Sequence, residues 1–261
     1  MTARPFYLAQ GNEEQIFAAA YRQGLSVLLK GPTGCGKTRF IETMAHDLGC
    51  QLITVACHED LTAADLVGRY LLQGGETVWV DGPLTRAVKE GAICYLDEIV
   101  EARQDTTVVL HPLSDHRRQL PIDRLGITLQ AAPGFCLVIS YNPGYQSVLK
   151  DLKDSTRQRM VAIELDFVPT DIEEKVVAHE ASIDPEVAGH LVRLGQAIRR
   201  LDNSGLREVA STRVLIAAGL LFAQSIGLRD AARAAVAGPL TDDQLLTAGL
   251  NEMIDAYLPA E

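Results

Sequence analysis

The chain carries two successive patterns of apolar and polar positions. Over roughly its first two thirds, short apolar runs are separated by polar turns that contain glycine, and runs of this kind are typical of buried parallel strands. Beyond about residue 170, apolar residues recur at three- and four-residue spacing, which predicts helices. The predicted strands are 26–30, 91–96, 135–140 and 160–165, and the predicted helices are 38–48, 171–181, 184–202, 211–227 and 241–257. We therefore expect an α/β unit at 1–167, with helices on both faces of a parallel sheet, followed by an all-helical unit at 168–261.

Two further segments have the pattern of β-hairpins inserted into the α/β unit. Residues 69–82 contain two short apolar runs around Gly74-Gly75, a pair that readily adopts the positive φ angles of a tight hairpin turn. Residues 117–131 predict a second hairpin just before the strand at 135–140. Each hairpin is either packed against its own unit or available to a partner. We expect the first, which carries the single tryptophan, Trp79, to move with nucleotide state and contact a partner.

Composition narrows the cellular setting. The 261 residues are 47% hydrophobic, which supports a proper core, but no apolar run reaches transmembrane length and the N-terminus lacks a signal-peptide pattern. The five cysteines include no C-x-x-C pair, so we expect reduced thiols in a cytoplasmic protein without membrane contact. The net charge of −10 argues against general nucleic-acid binding. Residues 116–118 are either a local basic patch or a solvated turn.

Residues 31–38 form a complete G-x-x-x-x-G-K-[ST] phosphate-binding loop between a predicted strand and a predicted helix. In this motif the glycines permit a tight turn whose N–H groups face phosphates, the lysine adds positive charge, and the threonine hydroxyl binds Mg²⁺. The sequence therefore predicts a nucleoside triphosphate site with Mg²⁺, built from Gly31, Pro32, Thr33, Gly34, Cys35, Gly36, Lys37 and Thr38.

Two later strands end in polar side chains that suit hydrolysis. The strand at 91–96 leads into Asp97 and Glu98. An aspartate at this place can hold Mg²⁺, and a neighbouring glutamate can orient or deprotonate the attacking water. Asn142 follows the strand at 135–140, where an amide could bond the water or the γ-phosphate, although Asn-Pro is also a turn-forming pair. No N-K-x-D motif for guanine is present, so we expect ATP.

The order and spacing of these motifs resemble the AAA+ ATPase module over nearly the whole chain. More narrowly, the segments 59–68, 81–84, 96–99 and 155–159 resemble the MoxR class and its CbbQ/NirQ/NorQ/GvpN group. The resemblance implies that Asn142 is sensor 1, that Arg213 is the sensor 2 arginine of a helical lid, and that an arginine finger lies at Arg157 or Arg159. It also implies that about 69–82 is the helix-2 insert and about 117–131 the pre-sensor-1 hairpin.

The same resemblance implies an ATP-driven remodelling motor that works as a homo-hexamer. Within the group it favours a Rubisco activase of the CbbQ type, which acts with a von Willebrand factor A-domain adaptor resembling CbbO to release inhibitory sugar phosphates from Rubisco. A NorQ-type role in nitric oxide reductase maturation and a GvpN-type role in gas-vesicle assembly are the alternatives. A nucleic-acid motor is disfavoured by the acidic charge, and a nucleotide switch or kinase by the Asp97-Glu98 pair.

Overall fold

A computed structural model of the chain describes residues 3–143, 154–201 and 209–260. A five-stranded parallel sheet forms the centre of the first part, in the order β2-β5-β8-β1-β9. Its strands are β1 (Ser26–Lys30), β2 (Leu52–Ala56), β5 (Ile93–Asp97), β8 (Cys136–Tyr141) and β9 (Met160–Glu164). The order places the strand before the phosphate loop (β1) and the strand that ends at Asp97 (β5) on either side of β8. All four strands predicted from the sequence are present, and β2 is an addition.

The central strands are buried on both faces, which explains why they read as continuous apolar runs. Leu28 of β1 pairs with Ile139 of β8, and both belong to a core that includes Leu84 of α4 (Pro83–Glu90). Helix α1 (Glu13–Arg22) contacts β1 and β9, and α2 (Lys37–Asp47) contacts β5; the buried phenylalanine rings of these two helices meet edge to face at 5.6 Å. Apolar side chains on both faces therefore bury the polar backbone of the sheet.

Short helices and two hairpins complete this first unit. The helices are α3 (Ala63–Val67), α5 (Gln104–Val108) and α6 (Asp154–Arg157). Thr62 and Asp65 form a capping box at the start of α3. The first hairpin pairs β3 (Gly68–Gln73) with β4 (Glu76–Asp81), and the second pairs β6 (Gln119–Ile122) with β7 (Ile127–Gln130). Both predicted hairpins are present, and Gly74 and Gly75 take the positive φ angles expected of the turn.

A second compact unit begins at Asp166 and is helical. Phe6–Gln10 and Thr33–Gly36 group with it. Its helices are α7 (Thr170–Ala181), α8 (Pro185–Arg199), α9 (Thr212–Ala223), α10 (Leu228–Ala232), a π-helical turn (Arg233–Ala237), α11 (Gly238–Leu240) and α12 (Gln244–Tyr257). Buried Leu191, Leu215 and Ile254 lie in its own core. The four predicted helices lie at α7, α8, α9 and α12.

One helical stretch of this unit was not among the predicted helices. Residues 228–240 are helical throughout, and they include Pro239 directly after the π-helical turn. Within the described residues no helix is both long and apolar enough to cross a membrane. All five cysteines are free, in agreement with the absence of a C-x-x-C pair.

Candidate functional site

The phosphate-binding loop connects β1 to α2 and has the backbone form that the motif requires. Gly34 and Gly36 adopt φ angles of +75° and +100°, in the region that favours glycine. The Lys37 ammonium is buried and donates to the carbonyl oxygens of Gly31 at 2.8 Å and Pro32 at 3.0 Å. An ammonium group has three N–H donors, so within the described residues one remains for an anion. The loop thus has the turn and the positive charge that a phosphate chain needs.

The tip of this loop, Thr33–Gly36, belongs to the same compact unit as α9. A Cβ atom placed on Gly34 would lie 2.5 Å from Cβ of Ser211, the residue before α9, and 3.7 Å from Cβ of Arg213. Real side chains do not approach as closely as the first of these distances. Glycine at position 34 is therefore required by its φ angle and also by the closeness of Ser211.

Three hydroxyl and carboxylate groups meet at the carboxyl ends of β5 and β8. The Ser140 hydroxyl donates to Asp97 Oδ1 at 2.5 Å, and the Tyr95 hydroxyl donates to the same oxygen at 2.6 Å. Tyr95 is completely buried. Its pKa is raised, first because burial disfavours the phenolate and then because of the Asp97 charge. Tyr95 therefore remains a neutral donor, and Asp97 is held by two short hydrogen bonds.

The Thr38 side chain reaches the same place from the start of α2. It hydrogen-bonds to the Tyr95 hydroxyl, so the threonine of the phosphate loop and the aspartate of β5 share one phenol. A hydroxyl and a carboxylate are oxygen ligands, which Mg²⁺ prefers. These two residues therefore fit the magnesium site that the sequence predicts.

Glu98 combines an unusual backbone with an exposed side chain. Its φ and ψ are 56° and 48°, a left-handed conformation that non-glycine residues adopt at some energetic cost. Its N–H donates to Ser140 Oγ at 3.1 Å, which holds the turn. Burial, together with the charges of Asp97 and Glu98, raises the pKa of the nearby Cys57 thiol to about 12. Cys57 is therefore a neutral neighbour, and the exposed Glu98 carboxylate is accessible to water, as a general base must be.

Asn142 follows β8 directly and is buried. Because β8 lies between β1 and β5, Asn142 stands at the same sheet edge as the phosphate loop and the Asp97-Glu98 pair. The sheet order therefore unites sequence segments that lie far apart along the chain. This is the arrangement expected of a residue that contacts the γ-phosphate or the attacking water.

The predicted arginines are placed differently from one another. Arg157, at the end of α6, is partly buried and pairs with Asp154 at 2.5 Å. Arg159 is exposed, and its guanidinium donates to the Ser155 carbonyl. Arg213, in the first turn of α9, is also exposed. An exposed guanidinium can reach a ligand or another subunit, whereas Arg157 must first leave Asp154.

Sequence reasoning missed Tyr95 and Ser140 as site residues. Each lies two positions before a predicted site residue, Asp97 and Asn142, within an otherwise apolar strand. Since side chains alternate along a strand, a polar residue two positions earlier shares the face of the functional one. That spacing was the available signal.

The short basic segment 116–118 has local partners. Arg117 pairs with Asp115 at 2.6 Å, and the Arg118 guanidinium donates to the carbonyls of Gly24 and Phe135. Two of its three basic side chains are thereby engaged within the chain. This favours the turn interpretation over a nucleic-acid patch.

Comparison with known families matches both parts of the chain. Residues 26–160 match the AAA domain (dynein-related subfamily), and residues 173–257 match the CbbQ/NirQ/NorQ C-terminal domain. The first match contains the phosphate loop, Asp97, Glu98 and Asn142. The second begins at Glu173 and contains Arg213.

Relatives with similar sequences extend over almost the full length. The chain is 58% identical to the denitrification regulatory protein NirQ of Stutzerimonas stutzeri, with 96% of this chain and 91% of that protein covered. It is 59% identical to the protein NorQ of Paracoccus denitrificans (97% and 93% covered) and 54% identical to the protein CbbQ of Hydrogenophilus thermoluteolus (92% and 90% covered). A mutant RuvB of Thermotoga maritima has a similar fold, with a TM-score of 0.58 at 17% identity over 95% of this chain and 71% of that one.

Proposed function

Because the chain belongs to the CbbQ/NirQ/NorQ family of AAA+ ATPases, we propose that it couples ATP hydrolysis to the remodelling of another protein. The observation that carries this proposal is the convergence of Thr38, Asp97 and Glu98 beside the phosphate loop, around Tyr95 and Ser140. Binding alone would not require an exposed carboxylate next to the Mg²⁺ ligand. A hydrolytic site does.

The proposed roles follow from these contacts. Lys37 and the loop amides hold the phosphate chain, and Thr38 and Asp97 hold Mg²⁺, which neutralises charge on the phosphates. Glu98 accepts a proton from the attacking water or orients it, while the Asn142 amide positions that water or the γ-phosphate. The hydroxyls that donate to Asp97 keep its carboxylate at a fixed angle.

An arginine from a neighbouring subunit is proposed to complete the site. Arg159 is the better candidate for the trans finger because it is exposed, whereas Arg157 is paired with Asp154. Such a finger contributes on the order of 10³–10⁵ in rate, so ATPase activity is expected to require the proposed homo-hexamer. The specific activity of the unmodified protein should be measured against protein concentration, with size measured in parallel, and compared with that of Arg159→Ala and Arg157→Ala. Activity independent of concentration in a proven monomer would contradict the trans arrangement.

The first hairpin is proposed as a contact surface for the adaptor or the remodelled protein. Four of its apolar or aromatic residues are exposed to solvent: Leu72 (76% of its surface), Tyr70 (45%), Val78 (40%) and Val80 (37%). Trp79 stacks edge-on with Tyr70 at 5.2 Å and donates to Asp81 at 2.8 Å. Its fluorescence should therefore respond to a movement of the hairpin. An emission spectrum that is the same with ATP, with ADP and without nucleotide would count against such a movement.

Two proteins are proposed as the remodelled substrate. The identity to NirQ and NorQ supports the first candidate, a denitrification enzyme, with nitric oxide reductase maturation as the specific role. The identity to CbbQ supports the second candidate, Rubisco activation with a von Willebrand factor A-domain adaptor. The site residues do not distinguish these two, because they serve hydrolysis and not substrate choice.

One experiment compares the two candidates. Glu98→Gln is expected to bind ATP and stall, so it should trap complexes that the active protein releases. The tagged Glu98→Gln variant would be incubated with ATP and, in separate samples, with nitric oxide reductase or with inhibited Rubisco and its von Willebrand factor A-domain adaptor. Lys37→Ala, which is expected not to bind ATP, is the control. ATP-dependent retention of one substrate, followed by its reactivation by the unmodified protein, would assign the role. Retention that is equal with Lys37→Ala would contradict an ATP-driven interaction.

A further inference from the structure

A buried ion pair links α7 to α8 in the helical unit. Glu173 is completely buried, and the side chain of Arg199 is only 12% exposed. The guanidinium binds the carboxylate through two parallel bonds, Nη1 to Oε2 at 2.8 Å and Nη2 to Oε1 at 2.7 Å. This two-point geometry is the strongest form of the interaction and fixes the orientation of both groups.

The pair also holds the start of α9. Arg199 Nε donates to the Ala210 carbonyl at 2.6 Å, and the Thr212 hydroxyl donates to Glu173 Oε1 at 2.7 Å. The guanidinium lies 4.0 Å from the centre of the Phe167 ring. The two residues flanking Ser211 are therefore both bound to one charged pair, which comes from two other helices.

Stability is a weak explanation for this arrangement. Moving two charges out of water costs several kcal/mol each, and the attraction between them often does no more than offset that cost. A well-packed apolar pair would stabilise the unit equally well. Unlike an apolar pair, the ion pair also fixes the orientation of its partners, since each of its hydrogen bonds joins two defined atoms.

The segment that is fixed in this way lies next to Gly34, in the part of the phosphate loop (Thr33–Gly36) that belongs to the same unit. Ser211, between Ala210 and Thr212, leaves no space for a side chain on Gly34, and Arg213 follows immediately after Thr212. Ser211 is buried, and its side chain makes no capping bond to α9. The first turn of α9 is therefore positioned by the ion pair and not by its own cap.

We propose that Glu173, Arg199 and Thr212 are positioning residues that set Arg213 and the first turn of α9 for ATP hydrolysis. The inference rests on the proposed role of Arg213 as the sensor of the lid. It extends the site from the residues that touch nucleotide to a charged cluster in the interior of the helical unit.

The test removes one hydroxyl and leaves both charges paired. Thr212→Val is close in shape and loses only the bond to Glu173, so kcat should fall about tenfold, the rate equivalent of one bond to a charged group. KM for ATP should change less than kcat, and Thr212→Ser should restore the rate. The matched control is Thr170→Val, which removes a hydroxyl that accepts from Gln196 at the start of α7, and its kcat should be unchanged.

A double-variant cycle separates positioning from stability. If Thr212 acts through Arg213, then Thr212→Val should cause no further loss of kcat in an Arg213→Ala background. Affinity for a fluorescent ATP analogue and the urea midpoint would be measured for each variant. The proposal would be overturned if the loss of kcat in the double variant equalled the product of the two single losses. It would also be overturned if the loss of kcat across the variants simply tracked the fall in the urea midpoint.

Failure of this inference can be distinguished from failure of the proposed function. If Arg213→Ala lowers kcat but Thr212→Val does not, only the positioning role is wrong. If Arg213→Ala leaves kcat and ATP-analogue affinity unchanged, the sensor role itself fails, and the positioning role fails with it.

Discussion

The Ser140 hydroxyl is hydrogen-bonded to two consecutive acidic residues, Asp97 at the end of β5 and Glu98 directly after it. Replacing Ser140 with alanine therefore tests whether these bonds support the two acidic residues. The hydroxyl donates to Asp97 Oδ1 at 2.5 Å and accepts from the Glu98 N–H at 3.1 Å. The Tyr95 oxygen lies 3.2 Å away, but Tyr95 has one proton and gives it to Asp97 at the shorter distance of 2.6 Å. Ser140→Ala therefore removes two hydrogen bonds, one of which is charge-assisted.

The expected loss of stability can be summed from these contacts. A hydrogen bond to a charged group contributes about 1.5–3 kcal/mol. The Glu98 N–H bond contributes about 0.5 kcal/mol, because that residue is exposed and water can replace the partner. The free energy of unfolding should therefore fall by about 2–3.5 kcal/mol. Asp97 keeps its bond from Tyr95, so Mg²⁺ binding should weaken without being lost.

The effect on catalysis should be larger than the effect on binding. The left-handed backbone of Glu98 costs about 1–3 kcal/mol, and the bond from its N–H to Ser140 helps to hold that conformation. Without this bond the residue can relax and move its carboxylate, and a loss of about 1.4 kcal/mol in transition-state stabilisation corresponds to a tenfold lower kcat. KM for ATP should change by less than that factor.

The measurements are urea unfolding, steady-state ATPase activity and the dependence of the rate on Mg²⁺. The control is Thr85→Val, which removes a buried hydroxyl that donates to the Val67 carbonyl at 2.5 Å, away from the site. That carbonyl keeps a bond from the Gly82 N–H, so the cost should be about 1 kcal/mol with no change in kcat. If Ser140→Ala costs no more than the control and leaves kcat unchanged, the proposed support of Asp97 and Glu98 is wrong.

Three further predictions address other parts of the molecule. Glu98→Gln should bind ATP normally but lose about 10²–10⁴ in turnover, measured by phosphate release, and normal turnover would refute its role as the base. Gly34→Ala should weaken the binding of a fluorescent ATP analogue at least about tenfold, because φ is +75° and the new Cβ meets Ser211; unchanged affinity would show that the loop adjusts freely. The pKa of Asp65 is lowered by its hydrogen bonds to Thr62. The stabilisation that the ionised Asp65 gives to the folded protein is therefore present above the pKa that Asp65 has in the unfolded chain. It is lost as pH falls through the lower pKa that Asp65 has in the folded protein. The stability difference between the protein and Asp65→Asn should accordingly shrink below about pH 4, and a difference that is constant between about pH 3 and pH 7 would contradict this.

Motifs with a fixed local form could be read directly from the sequence. The phosphate loop is a continuous segment whose spacing dictates its turn, and Gly34 and Gly36 have the expected positive φ angles. The strands around it were visible as apolar runs because central parallel strands are buried on both faces. The Gly74-Gly75 turn was visible for a similar reason, since the requirement for positive φ lies in the turn itself.

Contacts between distant segments could not be read in this way. Tyr95 was one polar residue within an apolar strand, and only the neighbouring strand and α2 showed that its hydroxyl links Asp97 to Thr38. Glu173 and Arg199 lie 26 positions apart, and such a pair on two predicted helices resembles many exposed pairs. Burial, which makes this pair informative, is a property of the packed unit.

By itself the sequence determined the nucleotide loop, the family and most of the helices and strands, because each of these depends on the order and spacing of neighbouring residues. Only the tertiary structure decided which side chains meet. The order β5-β8-β1 brought Asp97, Ser140 and the phosphate loop to one sheet edge, and the packing of α7, α8 and α9 enclosed the charged cluster behind Arg213. The physical reason is that a hydrogen bond depends on distance in space, which one-dimensional spacing does not specify beyond a single element.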